Sequence, residues 1–137
     1  ETLKGRFGFL SPKKLYQASS KAREQFSVKS TGVDQLMRAL SGGNKQKVNL
    51  GRWLIKDLDV LIVDCPTRGV DIGVKAYIYQ CLREAKEKGM AILLITDELS
   101  EVLGMADTIA VMKDGEICKL LPRSAELSEE TIIEVMT

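Results

Sequence analysis

Apolar residues recur at helical spacing along the first forty positions of this chain of 137 residues. One stripe comprises Leu15, Ala18, Ala22 and Phe26. It follows Pro12, a residue that suits the first turn of a helix. Gly32 interrupts this stripe, and a second one runs from Val33 to Leu40. The start of the chain is therefore predicted to be all-helical.

A third helix is predicted where the Gly-rich turn Ser41-Gly42-Gly43 precedes an amphipathic stretch from Asn44 to Lys56. The apolar run Val60–Val63 then ends abruptly in Asp64. A short, continuous apolar run with such an ending is typical of a buried parallel strand. Asp64 is thus expected at the carboxyl end of a strand.

The next two patterns complete a strand–helix–strand unit. Apolar positions between Val74 and Lys88 share one helical face, and Gly89 is a suitable residue to end that helix. Met90–Thr96 forms a second apolar run. Because crossovers of this kind join parallel strands in nearly all cases, the fold class is predicted to be α/β.

The remaining sequence predicts a hairpin and a closing helix. Two strand-like runs, Thr108–Met112 and Ile117–Leu121, flank Asp114-Gly115, a pair that favours a tight turn. A short helical stretch follows Ser128. The sequence contains no internal repeat or low-complexity tract, so the helical start and the α/β remainder are expected to form one structural unit.

Charge and hydropathy exclude several classes of protein. The 20 Lys and Arg residues against 19 Asp and Glu residues give a net charge of +1, which argues against broad electrostatic binding of nucleic acid or an anionic membrane. Apolar stretches such as Ala91–Ile95 are far shorter than the roughly 20 residues that cross a bilayer. Glu1–Phe9 lacks the features of a secretory signal. A cytosolic location is therefore expected.

The cysteines predict no disulfide framework and no zinc site. Cys65, Cys81 and Cys118 are odd in number and lack CxxC spacing, and the chain has no His. Reduced thiols are expected. Because free Cys is often buried, Cys81 and Cys118 are predicted to be small core residues.

The turn before the third helix has the chemistry of an anion site. Backbone N–H groups and the positive end of the helix dipole point outward there, and glycines let a phosphate approach closely. Ser41 can donate one further hydrogen bond. Taken alone, Ser41-Gly42-Gly43 fits an ordinary capped loop equally well, so the spacing of other motifs decides between the two interpretations.

Four segments in a fixed order resemble those of the ATP-binding cassette (ABC) ATPases. They are Leu40–Val48, similar to the signature motif; the strand ending in Asp64, similar to Walker B; Pro66–Asp71, similar to the D-loop; and Thr96-Asp97, similar to the switch region. The resemblance covers nearly the whole chain. Asn44 and the run Pro66–Asp71 look most like the second cassette of tandem ATPases in simple-sugar importers.

The resemblance implies an incomplete P-loop NTPase (RecA-like) core with parallel strands and a C-terminal hairpin, over residues 48–137. Part of the ABC helical subdomain, residues 1–47, precedes this core and ends in the signature motif. The sequence has no Walker A loop, Gly-x-x-x-x-Gly-Lys-Ser/Thr, so we expect a fragment that binds ATP poorly by itself. In the family, the strand that precedes the Walker A loop lies between the strands corresponding to Met90–Thr96 and Thr108–Met112. Without it the sheet would have an unpaired edge, so self-association is expected.

Two positions depart from the family pattern at this cassette's own site. Cys65 stands where active members carry the Glu that polarises the attacking water, and a mostly neutral thiol is a poor replacement. Asp97 stands where the family has a His that contacts the γ-phosphate, and its charge would repel a polyanion. The alternatives are a packing or redox role for Cys65 and capping of the next helix for Asp97. The resemblance therefore implies a parent ATPase with one degenerate site. It also implies that this fragment alone is inactive.

In the family two cassettes face head to tail, so the motifs of this chain would serve different ATP sites. The signature residues implied to contact ATP held by the partner cassette are Ser41, Gly42, Gly43, Asn44 and Gln46. Asp64 would hold Mg²⁺ through water, and Asp71 in the D-loop would couple the two sites. ATP and Mg²⁺ are therefore the implied cofactors of the full assembly.

The implied function is that of an ATP-binding subunit of an ABC importer, with sugars as the expected substrates. Its partners would be a second cassette, transmembrane permease subunits and, indirectly, a substrate-binding protein. It would lie on the cytoplasmic face of the cell membrane. A nucleoside importer, a soluble ABC ATPase of translation or DNA maintenance, and a purely structural module are the alternatives. The balanced charge weighs against nucleic-acid partners.

Overall fold

The computed structural model describes residues 11–136 of the chain. In chain order its elements are α1 (Pro12–Gln25), α2 (Gly42–Leu54), β1 (Val60–Asp64), α3 (Ile72–Glu87), β2 (Ala91–Ile95), α4 (Leu99–Met105), β3 (Thr108–Lys113), β4 (Glu116–Pro122) and α5 (Glu129–Met136). No helix in this range is long and apolar enough to cross a membrane. The prediction about Glu1–Phe9 lies outside the described residues.

The described residues divide into two compact units. The first comprises residues 11–61 and 66–91 and contains α1, α2 and α3; the second comprises residues 62–65 and 92–136 and contains α4, α5, β3 and β4. The boundary between residues 47 and 48 that the family resemblance implies stays a prediction.

The predicted helix starts are explained by side-chain caps. In four helices the side chain before the first helical residue accepts a hydrogen bond from a backbone N–H in the first turn; the four are Ser11, Ser41, Asp71 and Ser128. Such caps satisfy one of the N–H groups that a helix start leaves without an intrahelical partner. The sequence therefore located these four helices to within about two residues.

The helix predicted from Val33 to Leu40 does not form as an α-helix. Only a single 3-10 turn forms there, Met37–Ala39. The side chain of Gln35 accepts a hydrogen bond from Thr31 N at 2.7 Å and donates one to Ala39 O at 3.2 Å. Bonds from a side chain to nearby backbone groups compete with helical hydrogen bonds, so the apolar spacing did not produce an α-helix.

β1 and β2 pair in parallel, as the strand–helix–strand pattern predicts. At one end Ala91 N donates to Asp59 O, and at the other Cys65 N donates to Ile95 O, each at 2.9 Å. These bonds place Ile62 beside Leu93 on one face. Both residues are more than half exposed, at 63% and 53%.

The predicted hairpin is confirmed as β3 and β4, which pair antiparallel. Asp114 and Gly115 form the turn with φ values of 51° and 84°, as a tight hairpin turn requires. The register shifts where Val111 pairs with Lys119 and the next residue pairs with Ile117. Cys118 is thus the extra residue of a bulge.

The core prediction for the two cysteines is only partly correct. Cys118 is exposed and Cys81 is half-buried, and both are free thiols. The sequence prediction for Cys118 is wrong because β4 is almost entirely exposed and its bulge residue packs against no core.

Each unit has its own apolar core. In the first, the most deeply buried apolar side chains are Ile78 and Leu82 of α3, at 0% and 2% exposure. Gly51 of α2 lies against Phe26 so closely that a Cβ atom there would come within 2.7 Å of the ring. In the second unit, Ile109, Val111 and Ile132 form the buried cluster.

Within residues 11–136 the strands form two separate two-stranded sheets, β1–β2 and β3–β4. In this range β2 therefore has one strand neighbour. The self-association expected from an unpaired edge stays a prediction.

Candidate functional site

The loop before α2 carries the hydroxyl group of Ser41, which is oriented to donate a hydrogen bond. Ser41 Oγ accepts a hydrogen bond from Asn44 Nδ2 at 2.9 Å and a longer one from Asn44 N at 3.4 Å. Since a hydroxyl has one hydrogen and two acceptor lone pairs, both lone pairs are engaged and the hydrogen of Ser41 is directed elsewhere. The Ser41 side chain is exposed, so that hydrogen faces solvent or a ligand.

Two backbone N–H groups lie beside this hydroxyl. Within the described residues, Gly42 N and Gly43 N donate to no protein acceptor, because they occupy the first turn of α2. A Cβ atom on Gly42 would meet nothing within 4 Å, so the approach to its N–H group is open. The first turn of α2 carries no acidic residue, and Lys45 is exposed nearby. The loop therefore has the donors and the charge of an anion site.

The side chain of Asn44 links the loop to the segment that follows α1. Its Oδ1 accepts a hydrogen bond from Lys29 N at 2.8 Å, while its Nδ2 donates to Ser41. One side chain thus fixes both the hydroxyl and the segment that follows α1. Asn44 therefore fixes the conformation of the loop.

Gln46 has a partner that the sequence did not indicate. The side chain is half-buried, and Nε2 donates to Pro66 O at 2.6 Å. These residues lie 20 positions apart, and no periodicity or motif spacing relates them. Gln46 is turned towards the loop after β1, and its predicted nucleotide contact stays a prediction.

Lys47 and Tyr77 join the end of α1 to α2 and α3. Lys47 Nζ donates to Ser27 O at 3.2 Å and lies 4.4 Å from the centre of the Tyr77 ring. Burial, followed by the hydrogen bond with Cys81, raises the pKa of Tyr77. Burial also raises the pKa of the Cys81 thiol, although the hydrogen bond to Tyr77 opposes this. Both groups are neutral at pH 7, so Cys81 has the character of a packing residue.

Asp71 caps α3. Its Oδ1 accepts a hydrogen bond from Val74 N at 3.0 Å. The preceding loop contains Gly69 in the left-handed region, with φ of 70°, and Thr67, which is buried at 1% exposure. The cap fixes the end of this loop, and the coupling role implied for Asp71 stays a prediction.

Asp64 and Cys65 lie at the carboxyl end of β1. Asp64 is exposed and Cys65 is half-buried, and Cys65 N donates to Ile95 O at 2.9 Å. Cys65 has a positive φ of 43°, which is uncommon for a residue other than glycine. The end of β1 thus lies beside the end of β2, and Asp97 follows β2 by two residues.

Asp97 does not occupy the N-cap position of α4 that the sequence pattern indicated. The residue before α4 is Glu98, whose side chain makes no capping hydrogen bond. Glu98 N instead donates to Thr96 Oγ1 at 3.1 Å. This bond is made by the N–H of the N-cap residue itself and does not cap the first turn of α4, which begins one residue later than the sequence pattern indicated.

The residues present fit Mg²⁺ only in part. Among residues 11–136 no group of three or more His, Cys, Asp or Glu side chains could hold a metal ion. Asp64 offers an exposed carboxylate. One protein carboxylate is compatible with Mg²⁺ that takes its other oxygens from phosphates and water, as in nucleotide sites.

Proteins of similar sequence carry sugar-import names. The chain is 46% identical over 114 residues to the ribose import ATP-binding protein RbsA of Lactococcus lactis. It is 44% identical over 119 residues to the L-arabinose transport ATP-binding protein AraG of Geobacillus stearothermophilus. These matches cover 83% and 87% of this chain, and 23% of each relative. The chain therefore spans about a quarter of the length of the relatives it matches.

Solved ABC cassettes share the fold. MJ1267, an ATP-binding cassette of an ABC transporter, matches 91% of this chain with a TM-score of 0.73 and 28% identity, over 50% of its own length. The bacterial cassette MJ0796, solved as a dimer, matches 86% with a TM-score of 0.72 and 22% identity, over 51% of its length. No family profile matches the chain. Because both its sequence relatives and its fold are those of ABC ATPases, the chain belongs to the ABC ATPase family and corresponds to part of one cassette.

Proposed function

We propose that this chain is part of the ATP-binding subunit of an ABC sugar importer and that its loop Ser41–Asn44 completes an ATP site held by a second cassette. The observation that carries the proposal is the set of donors at the start of α2: the N–H groups of Gly42 and Gly43 and the hydroxyl hydrogen of Ser41. The names of the sugar-import relatives supply the substrate class.

These donors suit a phosphate that becomes more negative during transfer. In phosphoryl transfer the protein contributes mainly positioning and electrostatic stabilisation of the equatorial oxygens. Two backbone N–H groups and one hydroxyl on a helix start provide both, and the Asn44 side chain keeps the hydroxyl oriented. ATP supplies the transferred phosphoryl group, and Mg²⁺, for which Asp64 is the proposed ligand through water, would neutralise its charge.

The cassette's own site is proposed to be degenerate. Cys65 offers a thiol in place of a carboxylate base, and Asp97 offers a negative charge in place of a neutral or cationic donor. The N-cap of α4 is Glu98 rather than Asp97, and the proposal rests on the negative charge that Asp97 places at the switch position. This chain would therefore assist hydrolysis at the partner's site more than at its own.

Permease subunits, a second cassette and a substrate-binding protein are the proposed partners, at the cytoplasmic face of the membrane. MJ0796 pairs as a dimer, which supports pairing of cassettes. By itself the chain is proposed to self-associate at the edge of β2, which has one strand neighbour among residues 11–136, together with the exposed apolar face of β1 and β2. Ile62, Leu93 and Ile95 are 63%, 53% and 48% exposed there, although continuous apolar strands are normally covered on both faces.

Changing Ser41 to Arg tests the proposed function. In the full-length protein that carries this cassette, Ser41→Arg is expected to lower the ATPase rate at least about tenfold, because a hydrogen bond to a charged phosphate is lost and the approach is blocked. The measurement is steady-state phosphate release at saturating ATP.

Ser11→Arg is the matched control, since Ser11 also caps a helix with its hydroxyl but lies outside the loop. It should retain the wild-type rate. If both variants hydrolyse ATP like the wild type, the loop does not serve an ATP site.

A further inference from the structure

We infer that Gln46 is a positioning residue that links the loop Ser41–Asn44 to the segment Pro66–Asp71, so that both respond together to a phosphate bound at the loop. The inference rests on the proposed function, and it concerns how occupancy of the partner's ATP site is communicated to this cassette. Neither the family motifs nor the names of the relatives assign this role to Gln46.

The first contact of the link is a short hydrogen bond. Gln46 lies one helical turn after Ser41-Gly42-Gly43, and its Nε2 donates to Pro66 O at 2.6 Å in a half-buried setting. An amide nitrogen has two hydrogens and no competing acceptor role. At this depth, loss of the donor would leave Pro66 O without its partner, which costs more than an exposed bond would.

The second contact is steric and lies at the other end of the same segment. A Cβ atom on Gly43 would come within 2.7 Å of Val74 Cγ2, so the first turns of α2 and α3 touch with no spare room. Val74 N in turn donates to Asp71 Oδ1. The start of α2 therefore touches the segment at both ends: through Gln46 at Pro66, and through Gly43 and Val74 at Asp71.

These contacts close a ring of residues within the first unit. The backbone of α2 connects Gly43 to Gln46, and a hydrogen bond connects Gln46 to Pro66. The backbone then connects Pro66 through Asp71 to Val74, which packs against Gly43. Thr67, inside the ring, is buried at 1% exposure. A close-packed ring of this kind transmits a displacement rather than absorbing it. Movement of Ser41–Asn44 on phosphate binding would thus shift Pro66, the residue that directly follows Cys65 in the chain.

Hydrogen exchange in the 137-residue chain tests the link itself. Gln46→Ala and Gln46→Glu both remove the donor, and backbone amides of residues 67–71 are expected to exchange about tenfold faster than in the wild type. Gln46→Lys, which restores an N–H donor of sufficient reach, should return exchange towards the wild-type rate. Asn49→Ala, at an exposed amide on the same helix, should leave it unchanged. Unchanged exchange in both donor-free variants would overturn the inference.

Turnover kinetics of the full-length protein test the consequence. A positioning role predicts that Gln46→Glu lowers kcat about tenfold and leaves KM for ATP within about twofold, with Gln46→Lys again restoring the rate. A raised KM with unchanged kcat would overturn the inference, since Gln46 would then be a nucleotide contact. Failure of the proposed function is distinguishable, because Ser41→Arg would then leave turnover unchanged while exchange of residues 67–71 still responded to Gln46.

Discussion

Changing Cys65 to Glu and Asp97 to His together is expected to raise ATP hydrolysis at this cassette's own site by about 10² to 10⁴, the usual contribution of general-base help. A carboxylate at position 65 would accept a proton from the attacking water, whereas a thiol lacks the paired acceptor oxygens for this. A His at position 97 would replace a carboxylate that repels the γ-phosphate with a side chain that donates a hydrogen bond to it. The measurement is the ATPase rate of the full-length protein with hydrolysis disabled at the other cassette, since an active partner site would mask the gain.

The control variant combines Asp97→His with Cys118→Glu. Cys118 is an exposed cysteine on β4, so the same two residue types are introduced but the carboxylate is placed away from the end of β1. This control should stay at the background rate. If the Cys65 variant also stays there while binding ATP normally, the rate at this site is not limited by the residues at positions 65 and 97.

The second large effect concerns stability. Ile78→Ala is expected to lower the free energy of unfolding by about 2–5 kcal/mol, because a fully buried aliphatic side chain is replaced by a cavity. Ile78 lies in α3 at 0% exposure, in the core of the first unit. Urea unfolding followed by circular dichroism measures the change from the shift in midpoint at constant slope.

Ile72→Ala is the matched control in the same helix. Ile72 is 85% exposed, so the same substitution removes little buried surface, and its effect should stay within about 0.5 kcal/mol. Equal losses at the two positions would mean that α3 does not bury the face assigned to it. The comparison therefore tests the packing of the helix that follows the segment Pro66–Asp71.

The sequence predicted most of what depends on local chemistry. Ser11, Ser41, Asp71 and Ser128 begin helices because each side chain satisfies a backbone N–H of the first turn. The turn at Asp114-Gly115 follows from the need for positive φ at two successive residues. The parallel pairing of β1 and β2 follows from the helical crossover that joins them.

What the sequence missed depends on contacts between distant or competing groups. The helix expected from Val33 onward gave way to side-chain bonds of Gln35. The N-cap of α4 is Glu98 rather than Asp97, because the helix begins one residue later than the pattern indicated. The contact between Gln46 and Pro66 spans 20 positions and has no local signature. In the candidate site the donors of α2 could be predicted, whereas the partner of Gln46 could not.

The proposed assignment of the loop to a partner's ATP is tested most directly by photolabelling. ATP with a photoreactive group on its γ-phosphate would be bound to the full-length protein, and labelled residues would be mapped by mass spectrometry. The account predicts label within Ser41–Asn44 that is lost when the Walker A Lys of the other cassette is changed and retained when that of this cassette is changed. Label that follows this cassette's own Walker A Lys, or that never reaches the loop while ATP is bound, would contradict it.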